Sequence, residues 1–118
     1  IRAIVSQWIL DDNVHGIIMT GGTGITGKDG TPEAILPLLD KTIDGFGEMF
    51  RSLSYQNIKT STLQSRAFAG VANGTFIFCL PGSPGACKDG WNFLIKDQLD
   101  SRTKPCNLVE LMPRLNEE

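Results

Sequence analysis

The stretch Thr20-Gly21-Gly22-Thr23-Gly24-Ile25-Thr26-Gly27-Lys28-Asp29 decides how this chain folds. It follows an apolar run at residues 14–19, which predicts a strand buried on both faces, and it precedes a helix start at Thr31-Pro32. A glycine-rich loop between a strand and a helix allows backbone N–H groups to approach an anion closely, usually a phosphate. The sequence therefore predicts a site for a phosphorylated small molecule.

The elements around this loop predict an α/β protein. Apolar spacing predicts an amphipathic helix from residue 1 to about residue 12, a helix over 31–39 with Thr31 as its N-cap, and a helical face over 46–53. Asn73-Gly74 between apolar runs predicts a hairpin of strands 67–72 and 75–80, the second of them central in its sheet. Alternation of this kind favours a layered fold with a mostly parallel sheet and one antiparallel strand.

A second glycine-containing loop, residues 81–85, repeats the strand-to-helix arrangement. Ser83 and Pro84 are typical of an N-cap and a first helical residue. One face of the helix that follows carries apolar residues, namely Cys87, Trp91, Leu94, Ile95 and Leu99. The tail beyond Pro105 has no clear pattern. Because ligands of such sheets bind beyond the carboxyl ends of strands, we expect both loops to border one site.

Composition excludes several classes of protein. A length of 118 residues suits one domain, and a net charge of −2 with no basic, aromatic-interleaved run gives no reason to expect nucleic acid. No apolar stretch approaches the ~20 residues of a membrane span. Three scattered cysteines and a single histidine, His15, fit no familiar zinc spacing. We interpret the cysteines as reduced and structural in a cytoplasmic protein, and His15 as structural.

Three interpretations of the first loop can be compared. Residues 22–27 match the dinucleotide pattern G-x-G-x-x-G, but the helix begins too late and no acid follows a second strand. Residues 22–28 match G-x-x-x-x-G-K, but Asp29 stands where a P-loop needs Ser or Thr. The third interpretation is a different phosphate cradle, in which threonine hydroxyls and Lys28 assist the glycines and Asp29 holds Mg²⁺ or orients a water or hydroxyl.

Two further charged residues stay open at this stage. Arg66 could reach a phosphate or form a surface ion pair, and Glu48 could be catalytic or simply solvated. No Ser/His/Asp set can be assembled.

Several segments together resemble the MoaB/MogA family of molybdenum cofactor biosynthesis, and the chain is closer to MoaB. The similar segments are 20–24, Lys28-Asp29, 31–34, 45–48, 63–66 and 80–83, in the family's order. The resemblance implies a single Rossmann-like three-layer domain over residues 1–118 that binds molybdopterin, a pterin dithiolene with a terminal phosphate. It also implies an upstream strand–helix–strand segment, with another active-site acid, that these residues lack.

The resemblance further implies a reaction and a set of site residues. Mg²⁺ and ATP would serve to adenylylate the molybdopterin phosphate, with Asp29 as catalytic residue and metal ligand. The residues implied to bind substrate are Thr20, Gly21, Gly22, Thr23, Gly24, Glu48, Ser65, Pro81, Gly82 and Ser83. The family assembles as homotrimers, sometimes paired into hexamers. The alternatives are a non-catalytic molybdopterin-binding or carrier protein, and an oligomeric scaffold.

Overall fold

The computed structural model describes residues 1–117 and contains one mixed sheet packed between helices. The strands are β1 (Gly16–Thr20), β2 (Lys41–Thr42), β3 (Phe68–Ala72) and β4 (Thr75–Leu80). The α-helices are α1 (Arg2–Ile9), α2 (Thr31–Ile35), α3 (Asp44–Ile58), α4 (Pro84–Gly90) and α5 (Lys96–Gln98). A π-helical turn, Trp91–Ile95, joins α4 to α5, and 3₁₀ turns cover Leu36–Leu38, Lys59–Gln64 and Val109–Arg114.

The strand order is β1-β4-β3-β2. β1 pairs parallel with β4, whereas β3 pairs antiparallel with both β4 and β2. Three strands therefore run in one direction and β3 runs against them, which confirms the predicted sheet. At the hairpin tip both residues have positive φ, 49° at Asn73 and 80° at Gly74, as the sequence signal requires.

Two apolar layers enclose the sheet because its central strand sends alternate side chains to opposite faces. Ile77 and Cys79 of β4 pack with Val5, Ile9 and Ile35 of α1 and α2. Phe76, Phe78 and Leu80 face the other way and pack with α3 and the segment that joins α4 to α5. All six residues of β4 are buried, so the prediction of a central strand is confirmed.

The prediction that residues 14–19 are buried on both faces is wrong. β1 lies at the edge of the sheet, where Ile17 is 3% exposed but its neighbour Ile18 is 47% exposed. The face of Ile17 lies under α1 and α2, whereas the helices on the opposite face pack over β4 and β3. An apolar run does not distinguish an edge strand from a central one, because both are rich in the same side chains.

Helix ends differ from the prediction in three places. Gly30 is the N-cap of α2 and Thr31 its first residue, and the α-helix ends at Ile35 because the 3₁₀ turn that follows contains Pro37. The predicted apolar face after Ser83 is interrupted by the π-helical turn, which leaves Trp91 41% exposed. The tail also has more order than predicted, since Val109–Arg114 form a 3₁₀ turn.

The described helices are all too short or too polar to cross a membrane. The three cysteines are free thiols, with Cys79 buried and Cys106 exposed, so a core role fits Cys79 and not Cys106.

Candidate functional site

The two glycine-containing loops meet because β1 and β4 are parallel neighbours. Thr20 lies opposite Leu80 in the register, so both strands end at the same edge of the sheet. The Gly21 N–H donates to the Leu80 carbonyl at 2.8 Å, and a Cβ at Gly82 would lie 3.5 Å from the Gly21 Cα. The predicted shared border is therefore present.

A cavity of about 210 Å³ lies between these loops. It is lined by predicted site residues from three separate segments: Thr23, Gly24, Ser65, Pro81 and Ser83. The other lining residues come from α3, the 3₁₀ turn after it and α4, and they are Phe50, Ser54, Ile58, Ser61, Gln64 and Ala86. Residues distant in sequence thus form one polar-rimmed site over an apolar floor.

A second cavity of about 260 Å³ adjoins the first and extends it along α3 and α4. The two share Phe50, Ser54, Ile58, Ser83 and Ala86. The second also contacts Asn57 and Asp89, whose side chains hydrogen-bond to each other at 3.1 Å. Neither cavity is lined by Lys or Arg within residues 1–117, so any anion there must be bound chiefly by hydroxyls, backbone N–H groups or a metal ion.

The first loop is held in a conformation that only glycine adopts easily. Gly21 and Gly22 have φ values of 95° and 70°. The buried Thr31 holds this turn, because its hydroxyl donates to the Gly21 carbonyl at 2.9 Å and its N–H donates to the Gly22 carbonyl at 3.1 Å. In the described chain no hydrogen bond engages the N–H groups of Gly22 or Thr23, which leaves both donors available for a ligand.

Asp29 lies behind this loop and does not line the cavity. Its Oδ2 accepts hydrogen bonds from the Thr26 N–H at 2.9 Å and the Thr26 hydroxyl at 2.8 Å. The Thr26 hydrogen bonds lower the pKa of Asp29, with smaller contributions from the Gly24 N–H and the Arg66 charge. A Cβ at Gly24 would lie 2.6 Å from Oδ2, so the carboxylate packs directly against a residue that does line the cavity.

Arg66 pairs within the protein. It forms a two-pronged ion pair with Glu33 of α2, at 2.6 and 3.1 Å, and it also donates to carbonyls of the first loop. The hydrogen bond from Arg66 lowers the pKa of Glu33, and the same bond raises the pKa of Arg66. Of the two interpretations of Arg66, the structure shows the ion pair.

Several predicted candidates lie apart from this cavity. Glu48 is exposed and borders a separate cavity of about 270 Å³ between α3 and β3. Lys28 and His15 are exposed, and Thr20 is exposed at the end of β1. Residues 1–117 hold no cluster of three His, Cys, Asp or Glu side chains that could bind a metal ion. The lining of the cavity thus includes part of the predicted set, and the predicted site residues outside that lining are Thr20, Gly21, Gly22, Asp29, Glu48 and Gly82.

Sequence reasoning missed the contribution of α3 to the site. Phe50 and Ser54 lie one turn apart on this helix, and Ser61 and Gln64 follow it in the 3₁₀ turn. The hydroxyl-rich stretch 59–65 was the available signal, but nothing in its spacing indicates that it folds over the end of β4.

The fold and the cavity define an α/β protein with a candidate ligand site beyond the carboxyl ends of neighbouring parallel strands, the expected location in open sheets. Residues 1–101 match the family model described as "Probable molybdopterin binding domain", and the chain belongs to this family. The resemblance seen in the sequence is therefore confirmed, as is the α/β fold.

Relatives agree with this assignment. Molybdenum cofactor biosynthesis protein B of Escherichia coli (strain K12) is 59% identical over 107 residues, which cover 91% of this chain and 63% of that protein. A crystal structure of a molybdenum cofactor biosynthesis protein B is 41% identical with a TM-score of 0.79, covering 83% of this chain and 62% of that one. The tungsten cofactor synthesizing protein MoaB from Pyrococcus furiosus is 42% identical with a TM-score of 0.65, covering 70% and 53%. The chain thus spans less than two thirds of the length of these relatives.

Proposed function

We propose that this chain binds molybdopterin and acts in molybdenum cofactor biosynthesis. The observation that carries the proposal is the single cavity in which Thr23 and Gly24 meet Ser65 and the 81–83 loop. A site built from a glycine turn, hydroxyls and an apolar floor suits a ligand with a phosphate at one end and a ring system at the other. Family membership and the names of the relatives support the same ligand.

The glycine turn is the best candidate to receive the phosphate. The Gly22 and Thr23 N–H groups are available, and hydrogen bonds from neutral donors to an anion are stronger than those between neutral groups. The Ser83 hydroxyl already accepts from the Ala86 N–H at 3.3 Å, yet its own proton can still be donated. Phe50 and Ile58 give the apolar surface against which a ring can pack.

Adenylylation of the bound phosphate with Mg²⁺ and ATP is the second part of the proposal. Mg²⁺ supplies charge neutralisation between phosphates, and it is commonly bound by only one or two carboxylates plus substrate oxygens. Asp29 fits that use, because hydrogen bonds from Thr26 keep its carboxylate ionised. Asp29 does not line the cavity, but it packs against Gly24, which does, so its carboxylate would hold the ion from behind the glycine turn.

Transfer of labelled AMP from ATP to molybdopterin, measured with and without Mg²⁺, tests the proposed reaction. We expect Asp29→Asn to abolish transfer while the dissociation constant for molybdopterin changes by less than about threefold. The amide oxygen of Asn can still accept the Thr26 hydrogen bonds, so the loop keeps its shape. Binding without transfer by the unaltered protein would favour a carrier, and transfer by Asp29→Asn would contradict the role of Asp29.

Gly22→Val tests the binding site itself. At φ 70° a β-branched residue is strained, and its Cβ would collide with the Thr31 hydroxyl. We expect molybdopterin affinity to fall at least about tenfold, the effect of losing one charge-assisted hydrogen bond. Gly27→Val is the matched control, because a Cβ there meets nothing within 4 Å. If Gly22→Val and Gly27→Val had equal affinity for molybdopterin, the result would support the alternative that the protein is an oligomeric scaffold without a functional site.

A further inference from the structure

The guanidinium of Arg66 is largely occupied by contacts within the protein. Its Nε donates to the Gly24 carbonyl at 2.7 Å, and one terminal nitrogen donates to both the Asp29 carbonyl and Glu33, each at 3.1 Å. The other terminal nitrogen binds Glu33 at 2.6 Å. Four of the five N–H donors of a guanidinium are therefore occupied inside the protein.

The backbone of Arg66 holds the same loop. The Arg66 N–H donates to the Thr23 carbonyl at 2.7 Å, so the side chain and main chain of one residue engage two consecutive carbonyls. In a trans peptide group the C=O and N–H bonds point in opposite directions. Holding the carbonyls of Thr23 and Gly24 toward Arg66 therefore turns the N–H groups of Gly24 and Ile25 away from it, and the Gly24 N–H interacts with the Asp29 carboxylate.

A second arginine fixes the segment that carries Arg66. Arg51 of α3 donates to the carbonyl of Ala67 at 2.9 Å and to that of Ser65 at 3.4 Å, one residue on either side of Arg66. Ser65 itself lines the cavity. The contacts thus run without a break from α3, through residues 65–67, to the glycine turn and on to Glu33 of α2.

We propose that Arg66 is a positioning residue that fixes the peptide groups on both sides of Gly24 and thereby holds the neighbouring Gly22 and Thr23 N–H groups in place for anion binding. The inference rests on the proposed function, since it assigns Arg66 a task at the same site. Arg66 acts through the loop and does not contact the ligand. The Glu33 ion pair orients the guanidinium fork, and the contacts to the Gly24 and Asp29 carbonyls do the positioning.

Arg66→Lys tests the inference, because an ammonium keeps the charge and loses the planar fork. We expect molybdopterin to bind at least about tenfold more weakly, the loss of one or more charge-assisted hydrogen bonds. Glu33→Gln is the matched control: it removes the negative charge, while the Gln amide oxygen can still accept a hydrogen bond that orients the fork, so the contacts to the loop carbonyls stay. That variant should bind within about threefold of the unaltered protein. Equal losses in both variants, or none in Arg66→Lys, would overturn the inference.

Amide NMR of the ligand-free protein gives a readout independent of molybdopterin. In Arg66→Lys we expect faster hydrogen exchange and shifted resonances at Gly24 and Ile25, with the amide of Arg102 unchanged as a distant reference. Unchanged Gly24 and Ile25 amides would refute the role of Arg66 whether or not the protein binds molybdopterin. Absence of molybdopterin binding by the unaltered protein, alongside altered amides in the variant, would refute the proposed ligand and leave the positioning role standing. Arg66→Gln supplies the same comparison should Arg66→Lys fail to fold.

Discussion

Asp29 shows how a half-buried carboxyl can have a lowered pKa without a direct ion pair. Its carboxylate is held by the N–H and hydroxyl of Thr26, three residues earlier, and Arg66 adds only a minor attraction. Hydrogen bonds to the charged form are sufficient to lower a carboxyl pKa. The carbonyls of Gly24 and Asp29, by contrast, accept hydrogen bonds from Arg66. Neither oxygen therefore lies beside the carboxylate without a donor of its own.

Thr26→Ala should raise the pKa of Asp29 toward its ordinary value of 3.8, because the hydroxyl hydrogen bond is the largest cause of the lowering. A lowered folded pKa stabilises the folded loop above pH 3.8, and this stabilisation is lost as pH falls through the folded value. The variant should therefore lose less stability on acidification. Carboxyl ¹³C NMR titration measures the change, with Asp100 as control, since Arg102 lowers its pKa to about 2 independently. An unchanged Asp29 titration would contradict the assignment.

The site residues that sequence could predict are those whose chemistry is local. Glycines in a strand-to-helix loop predict an anion site and a Ser-Pro pair predicts a helix start, and the structure brings Thr23, Gly24 and Ser83 together. Glu48 matched a family segment but faces another cavity, because its direction depends on how α3 packs. For Arg66 an ion pair was one of two predicted roles, but its partner could not be predicted, since Glu33 lies 33 residues away in sequence.

At the scale of elements, α4 begins at the border of the site with a local hydrogen bond. The Ser83 hydroxyl accepts from the Ala86 N–H, and Pro84 follows as the first helical residue. The N-cap satisfies a donor that the first turn of the helix otherwise leaves unpaired. The start of this element was predicted correctly because its signal lies in two consecutive residues, Ser83 and Pro84.

Ser83→Ala should lower the free energy of unfolding by about 1 kcal/mol, the usual effect of losing an N-cap side chain. Ser54→Ala is the matched control: Ser54 lines the same two cavities but lies inside α3, where Ala has the higher helix propensity. Urea denaturation of both variants measures the difference. A loss in Ser54→Ala as large as that in Ser83→Ala would show that the effect comes from the cavity and not from the cap.

Strands were harder to predict than helix starts. The hairpin of β3 and β4 has a two-residue signal in Asn73-Gly74, whereas Lys41–Thr42 form β2 only because β3 lies beside them. The exposure of Ile18 in β1 likewise depends on strand order, which is a property of the whole sheet. Pairing partners distant in sequence therefore limit what a local pattern can predict.

On the scale of the whole molecule, β4 joins both apolar layers and both glycine-containing loops. Its Phe78 is 2% exposed and meets Phe46 of α3 edge-on, with ring centroids 5.5 Å apart. Phe46 in turn stacks on Phe50, which forms part of the cavity floor. The packing of the core and the shape of the site are thus linked through three aromatic rings. The homotrimer or hexamer implied by the family resemblance stays a prediction.

Phe78→Ala should destabilise the protein by about 3–5 kcal/mol, because it removes a fully buried ring and leaves a cavity between β4 and α3. Single domains have total stabilities of about 5–15 kcal/mol, so this one change removes a large share. Phe93→Ala is the matched control: Phe93 and Phe78 both line a cavity of about 380 Å³ beside α3, but Phe93 is 62% exposed, and the loss of stability should stay within about 0.5 kcal/mol. Urea unfolding followed by circular dichroism gives both values, and Phe78→Leu, which leaves a smaller cavity, should fall between them. Similar losses for Phe78→Ala and Phe93→Ala would show that β4 is not the central support of the fold.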